Sequence, residues 1–223
     1  MITQIYSIQS VEEALACIDA GADRIGVLVG EKNGPFPCAV DEKTCKEIYD
    51  AIGDKAVRVL ISVRENPEEI LQETALLKPD VLHLCANYDG NESFKRELNE
   101  KVPGVVLMEA VGVEDHSAVA EAKRKAEFAD ILILDSVSKT VPGVGAAGVT
   151  HDWSIDAEIV KSVKIPVILA GGLGVDNVAD AIESVHPAGV DSLTKTSVKK
   201  DGVILHKDID LVREFCQIAH SYR

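Results

Sequence analysis

"PVILAGGLGVDNVADAI" (Pro166–Ile182) runs a short apolar stretch into paired glycines and then into an amphipathic segment. It reads as a buried strand, a tight turn and a helix. Whether Gly171 and Gly172 only turn the chain or also hold an anion depends on where this unit sits. The same unit recurs along the whole sequence. Its apolar runs are Ile2–Tyr6, Arg24–Val29, Val57–Val63, Val81–Cys85, Val105–Ala110, Ile131–Asp135, Val167–Ala170 and Val190–Thr194. Each is rich in β-branched residues and apolar on both parities, as strands covered by helices on both faces are. Eight strand–helix units in 223 residues predict a (β/α)8 TIM barrel, with residues 1–223 as one domain. An open doubly wound sheet is the alternative. Between the runs, Ser10–Glu13 reads as a capping box, Asn66-Pro67 as a cap followed by proline at the first helical position, and Trp153-Ser154 as the lead into a helix Ile155–Ser162.

The composition narrows the function. Hydrophobic residues make up 46% and aromatics only 4%, so the core is aliphatic. The chain carries 37 acidic against 23 basic residues, a net charge of −14, which argues against nucleic acid or an anionic membrane as partner. A small anion needs only a local pocket of N–H donors and a cation or two. Five cysteines, Cys17, Cys38, Cys45, Cys85 and Cys216, form no CxxC pair. They fit a reduced, cytoplasmic setting, and "MITQIYSIQS" has no secretory pattern. No apolar run approaches the ~20 residues of a membrane span.

Within the runs, polar residues fall two apart near the C-terminal ends. The pairs are Gln4 and Tyr6, Ser62 and Arg64, and His83 and Cys85, with Glu109 and Asp135 in the fifth and sixth runs. In a barrel this end carries the active face, so the pattern predicts a polar pocket there. Asp135 is the candidate acid, His83 or Cys85 the candidate base, and Arg64 a candidate anion anchor. The eighth run is ambiguous, since Ser192 and Thr194 share one parity and Asp191 and Lys195 the other. No compact metal motif is present, although Glu109, His83, Cys85 and Asp135 leave a metal-dependent lyase or hydrolase as an alternative. The loop "SVSKTVPGVGAAGVTHDW" is expected to close on a ligand. Phosphate sites in barrels often follow the seventh and eighth strands. Gly171 and Gly172 occupy the first position, and "LTKTS" (Leu193–Ser197), with Thr194 and Lys195, occupies the second.

"SVEEALACIDAGADRIGVLV", "NPEEI" and "DW…PVILAGGLGVDNVADAIESVHPAGVD" resemble, in matching order, the phosphoribosylanthranilate isomerase family. The resemblance implies a (β/α)8 barrel that opens a phosphorylated aminoaldose and converts it to an aminoketose by an Amadori rearrangement. It implies no metal or organic cofactor, a cytoplasmic place in tryptophan synthesis, and a monomer or homodimer. Asp135 in "ILILDS" matches the family's general acid. The family's base is a cysteine in a "KICGIT"-like segment; here "QIYSIQ" places Tyr6 there. Cys38 in "PFPCAV" stands where relatives carry an arginine for the substrate carboxylate. "HLCA", "GAAG" and "LTK" replace "QLHG", "GGTG" and "SSG". The expected function is therefore isomerisation of a small phosphorylated sugar or aminosugar, with the relatives' substrate or a changed one. A non-catalytic phosphometabolite-binding barrel is the reading from another class.

Overall fold

The computed structural model describes residues 1–31, 34, 36, 38–136 and 152–222. Eight parallel strands close into a barrel in sequence order: β1 (Ile2–Ile5), β2 (Arg24–Val29), β3 (Val57–Ser62), β4 (Val81–Leu84), β5 (Val106–Gly112), β6 (Ile131–Asp135), β7 (Val167–Leu169) and β8 (Gly189–Ser192). β1 pairs with β8 from Ile2↔Gly189 to Ile5↔Ser192, which closes the ring. The open-sheet alternative is thereby overturned. Helices α1 (Val11–Asp19), α2 (Glu42–Ile52), α3 (Pro67–Leu77), α4 (Glu92–Lys101), α5 (Ser117–Lys125), α6 (Trp153–Ser162), α7 (Val178–Val185) and α8 (Ile209–Ser221) alternate with the strands.

Local signals behave as their chemistry requires. Ser10 Oγ accepts from the Glu13 amide at 3.2 Å, and the Glu13 carboxylate accepts from the Gln9 amide at 2.7 Å. Asn66 caps α3 and Pro67 follows it. Trp153 opens α6 rather than preceding it, because Asp152 takes the cap. One element was not anticipated. Between β8 and α8 lies an antiparallel hairpin, β9 (Ser197–Lys200) and β10 (Val203–Lys207). Its turn is Asp201-Gly202, both at positive φ (52° and 81°), and that dipeptide was the available signal.

The core is two shells separated by the strands. The inner shell includes Tyr6, Leu28, Val59, Ile61, Val81, Met108, Ile131, Ile133 and Ile168. The outer shell joins the other strand parity to the helices, with Leu60, Leu82, Leu107, Leu132 and Val190 among its members. This assigns each polar strand residue to a face. Gln4, Tyr6, His83, Cys85 and Asp135 share the inward parity. Ser62, Arg64 and Glu109 do not, which corrects the expectation that they point into the pocket.

Their outward partners explain why polar groups are tolerated there. Glu73 of α3 is buried, at 3% exposure. It accepts from Ser62 Oγ and Arg64 Nε, each at 2.7 Å, while another Arg64 nitrogen donates to Glu42 at 2.7 Å. Glu109 is fully buried behind β5, accepts from the Gly90 amide at 3.0 Å and lies 3.2 Å from the Lys125 ammonium. Arg64 therefore neutralises a buried carboxylate at the strand–helix interface, and its charge is already committed. Arg64→Met should lower the unfolding free energy by ~1–3 kcal/mol in urea melts, because Glu73 keeps only Ser62. Unchanged stability would show that the network contributes nothing.

Candidate active site

The C-terminal mouth of the barrel gathers five inward side chains: Tyr6 past the end of β1, His83 and Cys85 from β4, Asp135 at the end of β6, and Asp191 on β8. The Tyr6 hydroxyl and His83 Nδ1 share a hydrogen bond of 2.8 Å, and the two rings lie 5.4 Å apart. They face each other across the lumen, since β1 and β4 are separated by β2 and β3 on one side of the ring. Both are almost fully buried. His83 Nε2 is buried without a hydrogen-bond partner.

A glycine on the neighbouring strand makes room for this pair. A Cβ at Gly26 would lie 2.6 Å from Cε1 of the Tyr6 ring. The phenol thus occupies the volume that a side chain at position 26 would need.

Burial sets the protonation of these groups. It pushes His83 down to about 3, aided by the Lys125 charge, so the ring is neutral at physiological pH. Burial first, and the charges of Asp135 and Glu109 after it, push the Cys85 thiol up to about 12. Tyr6 is raised well above its ordinary value by burial and by Asp191. The candidate bases from the sequence are thus a neutral imidazole, a thiol and a phenol. Asp191, which the sequence left ambiguous, faces the lumen at 5% exposure and accepts from Gln4 Nε2 at 3.1 Å. Burial, with the charge of Asp135 second, raises its pKa well above the usual carboxylate range. Asp135 accepts from the Ser136 amide at 2.7 Å. Its partner loop, residues 137–151, lies outside the described residues, as does any closure of that loop.

The predicted phosphate turns occupy the same end. Gly171 and Gly172 follow β7 with φ of 89° and 63°, a conformation that favours glycine. Side chains pin this turn from outside: Asn177 donates to the Gly172 carbonyl at 3.1 Å and accepts from the Gly174 amide at 2.9 Å, and Ser192 donates to the Leu173 carbonyl at 2.7 Å. Thr194 and Lys195 open a single 3-10 turn after β8, so their amides have no intrahelical acceptor. The Lys195 ammonium is held by Asp176 at 2.7 Å, so that charge is already paired. Among the described residues no group of three His, Cys, Asp or Glu side chains is placed to hold a metal.

The N-(5'phosphoribosyl)anthranilate (PRA) isomerase family model matches residues 4–218. The chain belongs to this family. It is 34% identical to the N-(5'-phosphoribosyl)anthranilate isomerase of Methanocella arvoryzae over 92% of both chains. It is 30% identical to that of Haloarcula marismortui, over 97% of this chain and 94% of the relative. Among solved structures, the phosphoribosyl anthranilate isomerase of Thermotoga maritima superposes with a TM-score of 0.80 at 25% identity, covering 99% of this chain and all of that one. Family membership makes this an isomerase of the intramolecular oxidoreductase type. Tyr6 occupies the lumen position where the resemblance expects the base, and the hydrogen bond to His83 uses the hydroxyl that a base would need free.

Two measurements check this arrangement. In an NMR titration the His83 ring signals should stay flat between pH 5 and 8; an inflection near 6.5 would show that the ring is solvated. The sign for stability follows. Below about pH 6.5 the unfolded chain takes up this proton and the folded chain does not, so the contribution of His83 is lost as pH falls toward 3. Separately, Gly26→Ala should cost ~1–3 kcal/mol by overpacking, and much less in a Tyr6→Cys background. Additive costs would show that the ring and the glycine are not coupled.

Proposed function

We propose that this protein catalyses the Amadori-type isomerisation of N-(5'-phosphoribosyl)anthranilate, the compound its relatives are named for, as a cytoplasmic enzyme that needs no cofactor. The observation that carries this reading is the carboxyl pair. Asp135 and Asp191 share the lumen mouth, and the charge of Asp135, after burial, raises the pKa of Asp191. Two interacting carboxyls that hold one proton supply both an acid and a base.

The proton balance closes within the pair. Ring opening breaks the bond between C1 and the ring oxygen, forms C1=N, and takes the shared proton onto that oxygen. Both carboxyls are then ionised and repel each other, which raises the basicity of the pair. One of them removes the C2 proton, giving an enolamine. Ketone formation at C2 releases the hydroxyl proton while C1 gains one, so there is no net gain or loss. Tyr6 and His83 wall the site as neutral hydrogen-bonding groups, with the Cys85 thiol beside them. The substrate phosphate rests on the amides of Gly171, Gly172, Thr194 and Lys195, next to helix and strand ends that leave N–H groups pointing outward.

The test is direct. Purified protein should consume N-(5'-phosphoribosyl)anthranilate, read by loss of anthranilate-type fluorescence, and should restore growth without tryptophan to a strain lacking this isomerase. Asp135→Asn and Asp191→Asn should each lower kcat/KM by ~10²–10⁴-fold. An inactive, folded wild-type protein would overturn the proposal.

A further inference from the structure

Lys207, the last residue of β10, is buried to 3% exposure. Its ammonium donates to the Leu193 carbonyl at 3.1 Å and to Ser197 Oγ at 3.0 Å. Those acceptors are the two ends of the turn after β8. Among the described residues no carboxylate lies within 4 Å of it. Glu13 comes closest in role, but its carboxylate oxygens are taken by the Gln9 amide and, at 2.6 Å, by the backbone amide of Lys207 itself. Asp191 contributes only at longer range.

A buried cation without an ion-pair partner is costly. Other basic groups at this end of the barrel are matched: Arg64 by Glu73 and Glu42, Lys125 by Asp89 and Glu109, Lys195 by Asp176. Lys207 stands out because it is buried deeper than Arg64 or Lys195 and yet lacks a carboxylate. Its contacts are confined to the backbone and hydroxyl of one turn, and that turn stands beside the Gly171-Gly172 turn at the lumen mouth. Ser192, one residue before Leu193, ties the two turns together through the Leu173 carbonyl. The hairpin β9–β10 brings Lys207 back to this turn, pairing it in register with Ser197.

We propose that Lys207 is the positioning cation of the anion site: it braces the Leu193–Ser197 turn from beneath and supplies the positive charge against which a phosphate monoester is held on the turn's outer side. This rests on the phosphate reading of the two turns. Lys207 does not touch the ligand. It acts through the turn, by holding its carbonyl end inward so that the amides face outward, and through its uncompensated charge.

The experiment uses inorganic phosphate as probe on the whole protein. Phosphate should raise the melting temperature of the wild type in a saturable way. Lys207→Met removes the charge and keeps the volume. It should melt no lower than wild type without phosphate, yet bind phosphate about tenfold or more weakly, with KM for the phosphorylated substrate rising more than kcat falls. Lys207→Arg should recover part of the phosphate affinity. Binding by Lys207→Met within twofold of wild type would overturn the assignment while leaving the phosphate site standing. A Lys207→Met protein that fails to fold without phosphate would show a structural role and overturn it as well. A wild type that does not respond to phosphate would remove the phosphate reading itself, and this inference with it.

Discussion

A closed ring of eight parallel strands gives each strand one inward row and one outward row, and every polar residue must be satisfied on the side it faces. That constraint organises this molecule. The inner shell is filled mostly with Val, Ile, Leu, Met and Ala, and the polar inward groups of the site gather toward the mouth. There they meet across the lumen rather than along a strand, which is why Tyr6 and His83, 77 residues apart, form the central contact. The size of the Tyr6 ring then decides the residue beside it. Gly26 is a small residue within the strand because the phenol has taken the space of a side chain there.

The fold was legible because strands buried on both faces leave an unmistakable repeat, and each of the eight runs matches a strand to within a residue or two at its ends. The mouth was legible in part. Alternation identifies residues that share a face but not which face, and a polar residue in an apolar strand can be satisfied outward as well as inward. Ser62, Arg64 and Glu109 are outward because α3 and α5 bring Glu73 and Lys125 against them, and nothing within β3 or β5 encodes those partners. Asp191 failed the opposite way. Its neighbours Ser192 and Lys195 are equally polar, so the parity of β8 gave no answer until Gln4 and the Leu173 carbonyl claimed Asp191 and Ser192 on opposite sides. The position of Lys207 was not legible because it depends on a hairpin returning to the turn that precedes it.

Electrostatics ties the site to the composition. A chain of net charge −14 has enough carboxylates to quench nearly every cation it places near the mouth. Arg64 and Lys195, the two cations that the sequence offered to an anion, are both quenched in this way. On the proposed phosphate reading, the elements left for an anion are the backbone N–H groups of the two turns and the buried Lys207, which pairs with no carboxylate among the described residues. The same burial that isolates Lys207 raises Asp191 and lowers His83. One low-dielectric region therefore disfavours the charged forms of His83, Asp191 and Lys207 together.

The exchange of a cysteine position for Tyr6 follows from this. A thiol at that position works as a base only if something lowers its pKa, and this lumen does the reverse: Cys85, the thiol it does contain, is pushed up to about 12. A phenol there is no better as a base, but it can lock His83 in place and keep both rings neutral. Neutral walls matter because a positive charge on His83 would draw the proton off Asp191 and leave two ionised carboxylates in the resting site. With the walls neutral, the largest charge effect on Asp191 is that of Asp135, which raises it, and under the proposed mechanism the pair would keep the proton that ring opening consumes. Under the proposed mechanism the tyrosine would not supply the base; it would preserve the conditions under which a second carboxyl can serve as one.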